Sequence, residues 1–288
     1  MALLEGKVAV ITGAGRGLGE AYARLFAAEG AAVVINDIGR SADGMWLADE
    51  VAESIRAGGG KAAAHTGDIS DVAIGAGLID FARAQFCGVD ILVNNAGILR
   101  DKSLLKMEEA DWDLVQKVNL KSMYAVTRPA LAAMKEAGKG GVIVNTSSVS
   151  GIVGNFGQAN YAASKAGVWG FSHVLALEGA KFGVRVWTLA PAAVSALTAG
   201  LMSEDMCAQL APEHVAQVAL YMVSGLSGQR TGHTIFASGQ GIRELKLLPS
   251  PGIRGGGSGT PVTARALAEA EEQLYYPAPA LTIMDFSK

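Results

Sequence analysis

Tyr161 and Lys165 stand four residues apart at the start of a helical pattern, so both side chains project from one helix face. A phenol titrates near about pH 10 and works as a base at neutral pH only where positive charge stabilises its anion. Lys165 supplies that charge. Ser148 lies thirteen residues before Tyr161, at the end of the apolar run Gly141 to Thr146, where its hydroxyl could bond the same reacting oxygen. Neighbouring residues at a strand end face opposite ways, so only one of Ser147 and Ser148 can do this.

A second group of residues suits a dinucleotide. Thr12-Gly13-Ala14-Gly15-Arg16-Gly17-Leu18-Gly19 follows the buried-strand pattern Lys7 to Ile11 and opens the helical pattern Leu18 to Glu29. Glycines there let the backbone turn tightly and let a pyrophosphate approach the N–H groups at a helix start, where the dipole favours negative charge. Asp37 ends the next strand, 18 residues past Gly19, which is the context that a dinucleotide site requires. Its carboxylate can accept from both hydroxyls of an adenosine ribose and would repel a 2′-phosphate, which favours NAD over NADP. Arg16 pulls the other way, because a basic side chain in this loop can help hold that phosphate, but a carboxylate at the ribose excludes it. Asp68, with Ile69 beside it after the third strand, lies where an adenine edge would be read. Its other reading is a cap for a helix beginning near Ser70.

These residues need a scaffold, and the 37 glycines mark its joints, falling between apolar runs. Strands are expected at Lys7–Ile11, Ala32–Asn36, Ala62–His65, Ile91–Asn94, Gly141–Thr146, Val184–Leu189 and Thr234–Ala237. Between them fall helices at Leu18–Glu29, Asp43–Ala57, Val72–Phe86, Trp112–Ala137 and Tyr161–Phe182. Strands apolar on both faces and alternating with helices indicate an α/β fold: a single-domain, Rossmann-like, doubly wound parallel sheet with helices on both faces. Residues 192–212 have no strong period and follow a strand's carboxyl end, as a lid would. From Pro249 the chain turns to Pro/Gly/Ser linker composition, giving a domain over 1–248 and a linker and tail over 249–288. Within the tail, Thr263–Tyr276 could form one amphipathic helix with Leu267, Ala270 and Leu274 on a stripe.

Composition removes other classes. Half of the residues are hydrophobic, 18% are charged and the formal net charge is −3, so a large core forms and the electrostatic footprint for nucleic acid or an anionic membrane is missing. No apolar stretch is long enough for a bilayer, and Glu5 and Lys7 make Met1–Val10 unlike a signal peptide, so a cytoplasmic protein is expected. Cys87 and Cys207 read as packing residues. His65, His173, His214 and His233 show no metal-ligand spacing, and no metal is expected.

Taken together the motifs resemble the short-chain dehydrogenase/reductase family: the glycine loop, Asp68, Asn94-Asn95-Ala96-Gly97, Asn119, Ser148, Tyr161-x-x-x-Lys165 and Pro191, in that order over residues 1 to about 245. The resemblance implies a catalytic tetrad of Asn119, Ser148, Tyr161 and Lys165. Tyr161 would exchange a proton with the substrate oxygen, Ser148 would position it, Lys165 would also bind the nicotinamide ribose, and Asn119 would hold a water continuing the proton relay. Asn94 to Gly97, including Asn95 and Ala96, would line the adenosine side of an NAD cofactor. After Pro191 relatives commonly have glycine where this chain has Ala192, so the carboxamide contact falls to Val194, with Ser195 and Thr198 as candidates. The family's helices near Asn119 and Tyr161 imply a homodimer or homotetramer.

Val34-Ile-Asn-Asp37, Asn94 to Asp101, Asp111-Trp-Asp113 and above all Gly154-Asn-Phe-Gly-Gln-Ala-Asn-Tyr161 are similar to one branch, the (3R)-hydroxyacyl-CoA dehydrogenases of peroxisomal multifunctional enzymes and bacterial relatives. That branch implies oxidation of a (3R)-hydroxyacyl thioester. Phe156 and Gln158, in the stretch between Ser148 and Tyr161, are candidate substrate-wall residues, and the apolar run Leu197–Met206 suits an acyl chain or a steroid. Arg100 and Lys102 could meet CoA phosphates. Two alternatives stay open: a 3-oxoacyl thioester or ketosteroid reductase, and a non-catalytic dinucleotide sensor or scaffold.

Overall fold

The computed structural model describes residues 2–193, 204–239, 241–253 and 261–276, with the side chains of 204–206 excepted. Its first half alternates β1 (Val8–Thr12), α1 (Gly17–Ala28), β2 (Ala32–Asn36), α2 (Leu47–Ala57), β3 (Lys61–His65), α3 (Val72–Phe86) and β4 (Ile91–Asn94). There follow α4 (Glu109–Gln116), a π-turn (Lys117–Lys121), α5 (Ser122–Ala137), β5 (Gly141–Thr146), the short α6 (Ser150–Val153), α7 (Ala159–Ala180) and β6 (Val184–Pro191). The remainder is α8 (Glu204–Gln209), α9 (Pro212–Val223), β7 (His233–Ser238), β8 (Gly241–Leu245), α10 (Ala264–Glu269) and α11 (Glu271–Leu274).

The strands form one sheet in the order β3-β2-β1-β4-β5-β6-β7-β8, parallel through β7. β1, β2 and β4 are buried along their whole length, as strands covered on both faces must be. One face packs on Tyr22 and Phe26 of α1, Val51 of α2 and Met222 of α9; the other packs on Leu78 of α3, Val126 and Met134 of α5 and Leu175 of α7. The strand order reverses between β1 and β4, and a ligand crevice opens outside the carboxyl ends at such a switch point.

Several expectations are revised. The helix expected over Trp112–Ala137 is three segments, because a π-turn at Lys117–Lys121 separates α4 from α5. An eighth strand, β8, is additional to those expected; it pairs antiparallel with β7, from Thr234↔Leu245 to Ser238↔Gly241, and covers that edge. The helix expected from Asp43 starts only at Leu47, after an antiparallel bridge Arg40↔Trp46 with the Arg40 guanidinium 3.5 Å over the indole. The tail carries two short helices in place of one, and Tyr276 donates to the Pro249 carbonyl at 2.6 Å while the Gly252 N–H donates to the Gln273 carbonyl at 3.0 Å. Cys87 is exposed, in the left-handed region at the end of α3, so it is no packing residue. Among the described residues no helix is long and apolar enough to cross a membrane, and no cluster of three metal-ligating side chains occurs.

Candidate active site

The glycine loop is shaped by close approaches that only glycine permits. A Cβ on Gly13, where φ is +62°, would lie 2.7 Å from the Ala96 Cα, and one on Gly15 would lie 2.6 Å from the Leu47 Cβ. One on Gly19 would run into the Gly13 carbonyl. Gly17 opens α1, and Arg16 at its N-cap makes no side-chain capping bond, so nothing from the N-cap side chain occupies that positive helix end. Arg16 is exposed and Leu18 is half-buried.

Asn95 fixes the loop from the next strand, donating through Nδ2 to the carbonyls of Thr12 (3.1 Å) and Gly13 (3.0 Å). The Thr12 hydroxyl in turn accepts from the N–H groups of Asn95 and Ala96, at 3.0 and 3.1 Å. Asp37, at the carboxyl end of β2, accepts from Gly15 N–H at 2.8 Å and Gly39 N–H at 2.7 Å. Each carboxylate oxygen has a further lone pair with which to accept. The cradle therefore fits a nicotinamide dinucleotide: bare glycines, a helix start and an acidic residue fixed beside them.

Asp68 follows β3. Burial works against its charge, but two bonds from Ser70, at 2.9 and 2.7 Å, and the field of Lys117 hold its carboxyl below the ordinary range. It does not cap α3: Asp71 does, accepting from Ala73 and Ile74 N–H. Ile69 is buried in the core. Gly97 sits beside the tetrad, since a Cβ there would lie 3.4 Å from Asn119 Oδ1 and 3.6 Å from Lys165 Nζ.

The four residues expected to form the tetrad come from three parts of the fold. Asn119 is fully buried in the π-turn, where its Oδ1 accepts from Ile98 N–H at 2.8 Å and its Nδ2 donates to the Ile98 carbonyl at 3.0 Å. A widened turn of this kind is a distortion common at functional sites. Ser148 accepts from Ser150 N–H at 3.1 Å, and its hydroxyl lies close enough to Tyr161 to favour the phenol's ionised form. Ser147 faces away, donating to the Lys165 carbonyl at 2.8 Å.

Lys165 is buried, with its ammonium donating to the Thr146 carbonyl at 2.7 Å and lying 5.6 Å from the Tyr161 ring centre. Burial lowers its pKa to about 8. Burial pushes the Tyr161 phenol up, the Ser148 hydroxyl opposes this, and the Asp101 carboxylate adds to it. The lysine is thus brought close to neutral pH, where a proton can move between the Tyr–Lys pair and a bound oxygen, while the phenol relies on that nearby charge to ionise.

Behind the pair a buried polar chain ties strands to helices: Asn94 Nδ2 donates to Thr127 Oγ1 (2.8 Å) and Asn145 Oδ1 (2.9 Å), and Asn145 Nδ2 donates to Ser172 Oγ (2.9 Å). Of the substrate-wall candidates, Phe156 is 91% exposed, whereas Gln158 is buried with both ends of its amide engaged. Lys102 pairs with Asp111 at 2.8 Å, and Arg100 Nη1 donates to the Leu99 carbonyl. Pro191 ends β6 in register with Ala237, and Ala192 N–H donates to the Ala237 carbonyl at 2.9 Å. Val194, Ser195, Thr198 and most of Leu197–Met206 lie outside the described residues. Sequence reasoning missed Thr12 as a hydroxyl anchor, and also Asp101 and Ser150, because no spacing rule links residues that meet only through the fold.

Residues 7–206 match the family model described as short chain dehydrogenase. The peroxisomal multifunctional enzyme type 2 of Drosophila melanogaster is 47% identical over 222 residues, 76% of this chain but only 36% of that protein's length. The hydroxyacyl-CoA dehydrogenase ChsB1 of Mycobacterium tuberculosis is 38% identical over 249 residues, 82% of this chain and 78% of that protein. The 3-oxoacyl-[acyl-carrier-protein] reductase FabG of Vibrio cholerae is 39% identical, likewise over 82% of this chain and 97% of that protein. A short chain dehydrogenase of Mycobacterium avium superposes with a TM-score of 0.86 at 36% identity, covering 96% of this chain and 99% of that one.

Proposed function

The chain belongs to the short-chain dehydrogenase family and is an oxidoreductase acting on a CH–OH group; from that premise we propose that it oxidises (3R)-hydroxyacyl-CoA to 3-oxoacyl-CoA with NAD. The observation that carries the cofactor choice is Asp37, held by two backbone N–H groups at the edge of the glycine cradle, where its charge repels a 2′-phosphate. The substrate class is supported by the Gly154–Tyr161 stretch and by the likeness to a hydroxyacyl-CoA dehydrogenase. The dinucleotide would be held by Gly13, Gly15, Gly17, Asp37, Asn95 and Lys165, and when bound its nicotinamide supplies the hydride acceptor.

The chain's own part is proton chemistry. Ser148 and Tyr161 receive the substrate hydroxyl, and the phenolate takes its proton as the C–H bond is broken. Lys165 holds the phenolate's charge, and its lowered pKa suits it to relaying toward solvent the proton that the phenol has taken. Asn119 keeps the Ile98 backbone in place beside the pair. The protein is further proposed to be cytoplasmic and to work as a homodimer or homotetramer.

The test is NADH formation at 340 nm with (3R)- and (3S)-hydroxyacyl-CoA esters, a steroid alcohol and a simple secondary alcohol. Turnover confined to the (3R)-thioester and lost in Tyr161→Phe supports the proposal. Turnover only of the steroid or the simple alcohol keeps the tetrad and defeats the thioester assignment. A strong preference for NADP, which the exposed Arg16 would favour, defeats the reading of Asp37 and points to a reductase.

A further inference from the structure

The hydroxyl of Ser148 is located by a bond from its own loop. Its oxygen accepts from Ser150 N–H at 3.1 Å, which leaves its proton available to a substrate oxygen beside Tyr161. Ser150 is committed too, since its Oγ donates to Gln158 Oε1 at 2.9 Å. The other end of that amide donates to Asp101 Oδ2 at 2.8 Å, and Asn155 Nδ2 adds a second bond to Oε1 at 3.2 Å. Gln158 is 9% exposed, and it spans from the loop that carries Ser148 to the segment after β4. A backbone bond from Lys102 N–H to the Gly157 carbonyl, at 2.9 Å, closes the same gap.

We infer that Gln158 is a positioning residue for the reaction: a buried amide that transmits the location of Asp101 through Ser150 to the hydroxyl of Ser148. An amide suits the place because it accepts at one end and donates at the other, matching a hydroxyl on one side and a carboxylate on the other. No neutral side chain of similar size without both functions satisfies all three neighbours. The groups acting on the phenol are then Ser148, Lys165 and Asp101, the last held at its distance by Gln158. This inference rests on the proposed dehydrogenase reading for the identity of the reaction, but the geometry can be tested without any substrate.

The experiment compares Gln158→Leu, Gln158→Glu and the exchange Gln158→Glu with Asp101→Asn, all as the full chain with NAD present. Gln158→Leu is expected to lower kcat by about 10- to 100-fold with KM for the substrate and the dinucleotide Kd within about threefold, the size of effect that loss of orientation produces. Gln158→Glu places two carboxylates together and is expected to lose activity at neutral pH, with the deficit relative to wild type at the same pH narrowing toward acid pH, where one shared proton restores a donor. The exchange reverses donor and acceptor, so that the amide introduced at position 101 gives its N–H to the carboxylate introduced at position 158. It is expected to recover about tenfold or more over Gln158→Glu at neutral pH, the rate attributable to restored orientation.

A second readout is the titration of Tyr161 followed by 13Cζ-labelled tyrosine NMR, assigned with Tyr161→Phe. The midpoint should move in Gln158→Glu and return in the exchange. If no thioester is turned over but these midpoints behave as stated, the substrate reading fails and the positioning role stands. An exchange variant no better than Gln158→Glu in both rate and midpoint overturns it, as does a Gln158→Leu protein that folds and keeps kcat within twofold.

Discussion

Lys165 carries a conflict between stability and chemistry that can be measured. Its ammonium is buried, and burial lowers its pKa from 10.5 to about 8. Between these two values the unfolded chain binds more protons than the native one, so stability attributable to this site rises with pH across about pH 8 to 10.5. Below pH 8 the native state bears the full cost of the buried charge, of the order of a few kcal/mol. Lys165→Met removes it. Thermal melts should therefore show the melting temperature of wild type rising relative to that of Lys165→Met as pH is raised from about 8 to 10, whatever the offset from orphaning the Thr146 carbonyl. A difference that is flat in pH would show that the lysine titrates alike in the folded and unfolded chain. Asp101 offers the complementary experiment. Its charge holds the Tyr161 phenol up, so Asp101→Asn, which keeps an acceptor for Gln158, should move the rising limb of the oxidation pH profile to lower pH.

At the scale of the element, the glycines of the cradle separate two kinds of constraint. Gly17 has φ +59° with nothing within 4 Å of where a Cβ would stand, while Gly19 has ordinary backbone but its Cβ would strike the Gly13 carbonyl and lie 2.8 Å from Asn95 Nδ2. Gly17→Ala should cost about 1 kcal/mol of stability, from the left-handed backbone alone. Gly19→Ala must push α1 off β1 and should cost more, with dinucleotide affinity lost by calorimetric titration; equal effects of the two would refute the close-approach account. The π-turn makes a further case. Asn119→Ala leaves Ile98 N–H and C=O without their partner, each worth about 1–3 kcal/mol if buried, so the variant should lose thermal stability as well as rate.

Elements also decide what can be read in advance. β1, β2 and β4 to β6 are legible because strands buried on both faces are apolar almost without interruption, and the glycine loop because its chemistry is local. The candidate tetrad rests on the Tyr161–Lys165 spacing, with Asn119 and Ser148 supplied by resemblance, and the fold brings all four to one region. The π-turn is not, since one extra residue in a turn leaves the surrounding apolar period intact on both sides. β8 is hidden because Ile242 and Arg243 are exposed and its alternation is too short to stand out from the turn at Ser238–Gly241. α9 carries a start signal in Pro212, which in sequence looks like the end of a lid and in the structure is the first residue of a helix.

At the scale of the whole molecule, one surface bears on how these parts are held. A groove of about 760 Å³ runs between α4, the π-turn, α5 and α7, lined by Leu114, Leu120, Tyr124 and Phe171 with Lys117 and Lys121. Elsewhere on α7, Val174 (54%) and Leu177 (80%) are exposed. The same π-turn carries Asn119 and the same α7 carries Tyr161 and Lys165, so a partner copy covering this face would also brace those residues. Under the proposed self-association, the double change Leu114→Asp with Leu177→Asp puts charge into a desolvated contact and should convert the assembly to a monomer in light scattering. Its melting temperature should lack the dependence on protein concentration expected of the wild-type assembly. Because the π-turn and the start of α7 would lose their brace, kcat should fall while dinucleotide affinity, set by Asp37 and the glycine loop, changes little. A monomer already in wild type would refute the assembly, and a monomeric variant with full kcat would show that each subunit holds its own tetrad unaided.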